Sequence, residues 1–314
     1  MSTHRMKTEP LVSVLIANYN YGRFVATAIE SVLAQTYPHV EVIVVDDGST
    51  DNSREIIDRY SGRVQAIYKD NGGQASAINA AFAASTGDII CLLDADDYYL
   101  PDKVEKAVAC YQERDEAVYV FHPLQRVDIN GVGLGINEPM DGSRWLDGKV
   151  KGFIAPPTSG LTFRRSGWEM LKPMPDGLSP IADNYLKFVI MALARGYYLA
   201  EPLAVMKIHG SNMFSMGNWG STRFPADIRI AVAIRSNFPK LVASADRLVS
   251  VTLVQYWRSA CNDEPTKAQL KAYLKKSSVG SMGRIYGGAV LRWCKRFLYA
   301  ALESRRQALP SRSI

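Results

Sequence analysis

Short apolar runs alternate with segments of helical period along the first third of the chain. Residues 11–17 (LVSVLIA), 41–45 (EVIVV), 64–68 (VQAIY) and 89–93 (IICLL) read as strands, the last apolar enough to be buried on both faces. Between them apolar residues recur at steps of three and four. The sets are Phe24, Ala28, Ile29, Val32 and Leu33, then Ile56, Ile57 and Tyr60, then Ala75, Ile78 and Phe82. After Pro101 come Val104, Ala107, Val108 and Tyr111. This is the period of helices with one buried face, and proline suits a first helical turn. Strand and helix alternate four times, which predicts an α/β fold on a mostly parallel sheet with helices on both faces.

Past residue 122 the alternation stops. Residues 128–132 predict a hairpin turned on Asn130 and Gly131. Residues 156–160 (PPTSG) predict a loop before a short strand that ends in Arg164 and Arg165. A helix is predicted from Asp183 through Leu186, Val189, Ile190 and Leu193, stopped by Gly196, with one last strand over 197–206. From about residue 226 only helices are expected, and the chain shows no internal repeat.

Polar residues gather where the apolar runs stop. Ala17, Asn18, Tyr19 and Asn20 follow the first strand, and Asp46 and Asp47 the second. Asn71, Gly72, Gly73 and Gln74 follow the third, and DADD over 94–97 the fourth. In open α/β sheets ligands bind beyond the carboxyl ends of the strands, so these clusters are expected to share one crevice. Alternation along an extended chain would aim Asp94 and Asp96 the same way. Neighbouring carboxylates repel, which raises a pKa or calls in a cation. Two aligned carboxylates suit a hard divalent ion shared with phosphate oxygens. The plainer reading is a polar strand end with Asp97 facing water. Asp46 and Asp51 likewise have a plainer reading, as N-caps of the helix that carries Ile56.

Composition narrows the class. At 314 residues, with 47% hydrophobic and 22% charged content, the chain is an ordinary globular one with room for one large or two smaller domains. No apolar run approaches a membrane span and no signal-peptide core opens the sequence, so a cytoplasmic location is expected. Cys91, Cys110, Cys261 and Cys294 are scattered and imply neither a disulfide framework nor a zinc site. The net charge of +6 sits in residues 281–314, where Arg284, Arg292, Lys295, Arg296, Arg305, Arg306 and Arg312 face Glu303 alone. A neutral body with a basic tail does not suit a nucleic-acid binder. Ile285, Tyr286, Ala289, Val290, Trp293, Phe297 and Ala301 fall on one helical face, with Arg284, Arg292, Lys295 and Arg306 opposite. Such a basic amphipathic helix over 281–309 predicts contact with an anionic membrane surface, peripheral on its inner face. Packing on the body or on a second subunit of a homo-oligomer is the alternative.

In this order and spacing, the polar clusters resemble the family 2 glycosyltransferases of the GT-A fold. The resemblance covers about 10–215 and is carried by VSVLIANYNYGRFVATAIESVLAQTY, EVIVVDDGSTDNS, NGGQASAINAAFAASTGDIICLLDADDYYLPDK and TSGLTFRRSGWEML. It implies a Rossmann-like domain with a nucleotide-sugar-binding half at 10–122 and an acceptor-binding half at 123–225, then a helical C-terminal region at 226–314. It gives Asp47 the nucleotide base with Asp46 beside it, and puts Ala17, Asn18, Tyr19 and Asn20 along base and ribose. Asn71, Gly72, Gly73, Gln74 and Asn79 would line the diphosphate and sugar. Asp96 would hold Mn²⁺ or Mg²⁺, Asp94 with Ala95 would meet the ribose or a metal-bound water, and His209 would close over the diphosphate at the metal. Asp183 stands where the family has its catalytic base. Relatives carry Glu-Asp where this chain has Ala182 and Asp183, which bears on acceptor binding rather than chemistry. Thr158, Ser159, Arg164 and Arg165 are the acceptor candidates, the arginines being otherwise a solvated pair.

The resemblance implies an inverting, metal-dependent hexosyl- or related transferase. It would move a sugar from a nucleoside diphosphate, UDP being the usual carrier, to a saccharide or lipid-linked saccharide, as in bacterial surface polysaccharide or glycolipid synthesis. A single displacement of this kind needs one carboxylate base, and the leaving diphosphate needs a cation. Two readings stand beside it. A sugar-nucleotide pyrophosphorylase would carry a glycine-rich loop after the first strand, and here no glycine precedes Gly22 in that turn. A non-catalytic nucleotide-sugar-binding protein would have no need of both Asp96 and Asp183.

Overall fold

The computed structural model describes residues 8–137, 140–147, 155–171, 173–178, 182–210, 212, 219–259 and 264–292. Cys261, Cys294 and the part of the predicted tail helix beyond Arg292 lie outside the described residues. The chain divides into two compact units, Met1–Met216 and Gly217–Ile314.

The first unit opens with β1 (Val12–Asn18), α1 (Gly22–Leu33), β2 (Val40–Asp47), α2 (Ser53–Asp58), β3 (Gln65–Lys69), α3 (Gln74–Ala84) and β4 (Ile89–Asp94). It continues with β5 (Tyr98–Tyr99), α4 (Lys103–Glu113), β6 (Tyr119–Phe121), β7 (Leu124–Val127), β8 (Gly133–Ile136) and β9 (Arg144–Leu146). Then follow β10 (Leu161–Arg164), α5 (Arg165–Met170), α6 (Ala182–Leu193), β11 (Gly196–Tyr198) and β12 (Ala204–Lys207).

Eight strands form one sheet in the order β3-β2-β1-β4-β10-β6-β11-β9. The first four are parallel, and their register sets Ala17 beside Val45 on one side and Asp94 on the other. The carboxyl ends are therefore level. One face packs Val14, Ile16, Val44, Cys91 and Leu93 against Val25, Ala28 and Ile29 of α1 and Val104, Val108 and Tyr111 of α4. Helix α3 lies on β1 and β2 through buried Ala77, Ile78 and Ala81. Helices on both faces explain why these strands read as unbroken apolar runs. Each large side chain buried this way stabilises the fold by about 1.5–3 kcal/mol.

Strand β10 runs antiparallel to β4, with Thr162 opposite Cys91 and Arg164 opposite Ile89. Its start, not its end, therefore lies at the crevice. A second sheet has the order β5-β12-β7-β8. The predicted hairpin is β7 with β8, and Gly131 takes φ +85° in its turn. The single strand expected over 197–206 is in fact two: β11 joins the large sheet and β12 the small one. Pro202 stands between them, and proline cannot donate to a ladder.

The second unit comprises α7 (Trp219–Asn237), α8 (Val242–Ser259), α9 (Glu264–Lys275) and α10 (Val279–Met282), which runs on through a π turn at Gly283–Gly287. Its helices begin at Trp219, earlier than the expected 226. Fully buried Asp246 accepts from the Tyr273 hydroxyl and from Arg284 Nε, both at 2.9 Å, and so ties α8, α9 and the π turn together. Arg292 Nη1 donates to Ser250 Oγ at 2.6 Å. The predicted tail face is thus corrected where it is described. Ile285 and Ala289 are buried and Tyr286 and Val290 exposed, while Arg284, itself exposed, and half-buried Arg292 bond back to Asp246 and Ser250 of α8. A π turn widens the helical repeat and rotates the faces away from the regular period. Among the described residues no helix is long and apolar enough to cross a membrane.

Candidate active site

Strand β4 ends at Asp94 and the chain turns at once, Asp97 N donating to the Asp94 carbonyl at 3.0 Å. The acids are therefore not aligned by alternation along an extended chain; a tight turn gathers all three. Nor does Asp97 face water. It is 3% exposed, and its Oδ2 accepts from Ser159 Oγ at 2.6 Å while its Oδ1 accepts from Lys207 N at 3.3 Å. Ser159 Oγ also accepts from Asp94 N at 3.2 Å, and Gln74 Nε2 donates to Asp94 Oδ1 at 3.2 Å. Asp96 Oδ2 meets His209 Nε2 at 3.1 Å and Asn212 Nδ2 at 3.0 Å.

The small sheet brings in Lys207, His209 and Asn212. Strand β5 begins one residue after Asp97, and its Tyr98 and Tyr99 pair with Val205 and Ala204. That pairing carries the segment after β12 back over the acids. There the His209 ring stacks on Phe24, with centroids 4.4 Å apart, and meets Tyr21 edge-on at 5.8 Å.

The charges are crowded. Burial, then the charges of Asp96 and Asp183, push Asp94 up to about 7. Burial raises Asp96 as well, against the opposing pull of His209 and Asn212. Burial with the charges of Asp96 and Asp94 lifts Asp97 well above the carboxylate range. Burial and the same three acids raise the Tyr21 hydroxyl. Gln74 Oε1 is buried with no partner among the described residues. A site with this much negative charge and a spare oxygen acceptor fits a cation. Among the described residues no three His, Cys, Asp or Glu side chains converge into a ready cage. Asp96 and Asp94 suit instead an ion that completes its shell with phosphate oxygens and water, as Mg²⁺ commonly does.

At the neighbouring strand ends the side chains are more occupied than expected. Asp46 is fully buried; Oδ2 accepts from Asn18 Nδ2 at 2.8 Å and Oδ1 from Ser49 N at 3.0 Å. It offers no open oxygen to a nucleotide and caps no helix. Asp51 instead does the capping, accepting from Ser53 N and Gly22 N at 2.9 Å each, so it serves the first turns of both α2 and α1. Asp47 is 2% exposed and clamps the next loop, taking Lys69 Nζ at 2.7 Å, Gly72 N at 3.0 Å and Gly73 N at 2.7 Å. Gly48 permits this approach: its φ is +78° and a Cβ there would lie 2.7 Å from Asn71 N. The Asn79 amide spans the backbone of Met174, at 2.8 Å to the carbonyl and 3.0 Å from the nitrogen. Tyr19, Asn20, Asn71 and Gly72 are exposed at the lip, with Asn20 held at φ +57° by bonds to Ser49 and Thr50, whereas Ala95 is buried.

The acceptor candidates divide by register. Thr158 and Ser159 lie at the acids, but both are buried and serve as scaffolding for Asp94 and Asp97. Arg164 and Arg165 sit at the opposite edge of the sheet and are neither solvated nor at the crevice. Arg164 binds the carbonyls of Ala117 and Tyr111, and Arg165 binds Gly87 O and lies over the Phe82 ring. Asp183 falls in the first turn of α6, and its charge is felt at Asp94. Lys187, one turn on, gives its Nζ to Asp183 Oδ2 at 2.6 Å and to Pro156 O at 3.2 Å. Sequence reasoning passed over Lys187, Asn212 and Tyr21. An opposite charge four residues from Asp183 was the available signal for the first.

A family model described as Glycosyl transferase family 2 matches residues 13–166. An uncharacterized glycosyltransferase of Nostoc sp. is 38% identical over 218 residues, which is 64% of this chain and 66% of that protein. Residues 13–166 belong to glycosyl transferase family 2. The chain spans slightly less than two thirds of that curated relative's length. The family 2 match takes in the ends of β1, β2, β3 and β4 and the Thr158–Gly160 turn, and stops before α6 and β12. Asp183, Lys187 and His209 therefore lie beyond it. Among solved structures, that of S. aureus TarS 1-349 in complex with UDP-GlcNAc superposes with a TM-score of 0.61 and 17% identity, over 88% of this chain and 79% of that one. Mannosyltransferase PcManGT from Pyrobaculum calidifontis, in complex with GDP-Man and Mn²⁺, gives 0.52 and 17% over 91% and 81%. At such identity these likenesses speak for the shared GT-A fold alone.

Proposed function

We propose that this chain is an inverting, metal-dependent glycosyltransferase that moves a sugar from a nucleoside diphosphate to an acceptor hydroxyl. The observation that carries the reading is the crowding of the Asp94, Asp96 and Asp97 charges at the turn that ends β4, with His209 on Asp96 and the charge of Asp183 reaching Asp94. Asp96 and Asp94 would hold Mn²⁺ or Mg²⁺, which would supply positive charge against the leaving diphosphate. Asp183 takes the proton of the attacking hydroxyl, and Lys187 fixes its carboxylate toward the crevice. One base and one displacement invert the anomeric carbon. Ser159 and Gln74 hold Asp94 in place. The lip residues Tyr19, Asn20, Asn71 and Gly72 flank the nucleotide.

UDP is the proposed carrier, supported by the UDP-GlcNAc complex of the TarS neighbour. The proposed acceptor is a saccharide or lipid-linked saccharide of a bacterial surface polysaccharide or glycolipid. The test is a screen of UDP-, GDP- and dTDP-sugars for hydrolysis with Mn²⁺, Mg²⁺ or EDTA. Turnover of a UDP-sugar that EDTA abolishes is the expected result. Turnover unaffected by EDTA overturns the metal assignment, and binding of every donor without turnover overturns the transferase reading.

A further inference from the structure

The second unit carries an apolar groove that the proposed chemistry does not use. Lys267, Lys271 and Lys275 follow one another at four-residue steps on α9 and rim a groove of about 480 Å³ floored by Leu270, Leu274 and Met282. Lys271 and Lys275 are exposed, and the one acid on α9, Glu264, pairs with Lys267 at 2.7 Å. Beyond the groove apolar side chains continue into solvent: Val279 is 91% exposed, Leu291 64% and Val290 51%. Val279, Tyr286, Val290 and Leu291 are all exposed along the run from α10 through the π turn.

Lysine stems lie along apolar surface while their charged heads reach outward. An apolar floor under a row of ammonium groups complements a partner that is oily inside and anionic at its skin. We propose that this lysine-rimmed face docks on an anionic phospholipid bilayer. Val279, Val290 and Leu291 enter the acyl boundary, and Lys267, Lys271 and Lys275 meet headgroup phosphates. Charge disfavours the other occupants. Residues 293–314 carry Lys295, Arg296, Arg305, Arg306 and Arg312 against Glu303, the same sign as the rim. A two-fold contact with a second copy would set this lysine row against itself. The membrane contact thus moves from the arginines of 281–309 to α9, and it does not depend on the transferase reading.

The test floats the full chain with vesicles of phosphatidylcholine alone and of phosphatidylcholine with phosphatidylglycerol. Binding is expected on the anionic vesicles only, weakened by salt, and reduced on the order of 30-fold in the double variant Lys271→Gln, Lys275→Gln. Val279→Asp, at a site open to water, is expected to weaken binding from the apolar side without disturbing the fold. Equal binding by wild type and both variants overturns the proposal, as does wild type that binds neither vesicle. A wild-type dimer that the lysine variants split, with no vesicle binding, assigns the face to a second copy instead. Donor hydrolysis in free solution stays at the wild-type rate in both variants, so failure here and failure of the transferase reading are separable.

Discussion

His209 Nε2 lies 3.1 Å from Asp96 Oδ2, a contact between residues 113 apart in sequence. The same oxygen takes Asn212 Nδ2 at 3.0 Å, so one loop closes on the carboxylate proposed to hold the metal. Asp96→Asn is expected to abolish the Mn²⁺ dependence of UDP binding. His209→Ala and Asn212→Ala, which remove partners of that carboxylate, should weaken Mn²⁺-dependent binding by about 10- to 100-fold. Calorimetry of UDP with and without Mn²⁺ checks all three. Unchanged affinity in Asp96→Asn would move the metal elsewhere.

Asp183 and Lys187 form a pair one helical turn apart, with Nζ to Oδ2 at 2.6 Å. Asp183→Asn keeps a side chain able to sit at a helix start, so stability and donor affinity should hold. Transfer should nevertheless fall by a factor on the order of 10²–10⁴. Lys187→Met should lower kcat with donor affinity unchanged, since it frees the carboxylate to swing. Transfer rates and donor Kd measured in the same variants distinguish a base from a helix cap.

Ser159 is wholly buried between two acids, donating to Asp97 Oδ2 at 2.6 Å and accepting from Asp94 N at 3.2 Å. Ser159→Ala leaves both groups short of a partner inside the protein. A stability loss of about 1–3 kcal/mol is expected from urea unfolding. A loss of activity with no loss of stability would instead return Ser159 to the acceptor role the sequence suggested.

His122 is buried, and burial followed by the nearby Lys103 charge pushes it down to about 3. Its Nδ1 lies 3.0 Å from Pro123 O, and Nε2 has no partner among the described residues. The unfolded chain takes up a proton near the ordinary histidine value of about 6.5, whereas the native state refuses it until about 3. More protons are bound unfolded than folded across that window, so stability falls as pH falls. Between about pH 6.5 and 5 the histidine should remove about 2 kcal/mol. His122→Phe should flatten that limb of the stability–pH curve, whatever its effect at pH 7. Parallel curves for the two proteins would refute it.

The parallel half of the sheet was legible in the sequence because burial on both faces leaves a local record. Runs such as IICLL over 89–93 can be nothing but interior, and the polar residues that follow fall at one edge by topology. Asp94 and Asp96 could be singled out for the same reason, whereas Asp183 was legible only through the family resemblance. What the linear order could not carry is which of those polar groups the protein spends on itself. Asp46, Asp47, Asn79, Arg164 and Arg165 satisfy backbone donors and acceptors brought near by strand register, and a buried amide or carbonyl left unpaired would cost more than the side chain's freedom. The split of 197–206 into two strands, and with it the arrival of His209 over Asp96, depends on pairings with β6 and β5 that are long-range and weakly encoded in any short window. The direction faced by Arg284 and Arg292 turned on a π turn around buried Asp246, a phase shift that a regular helical period does not announce.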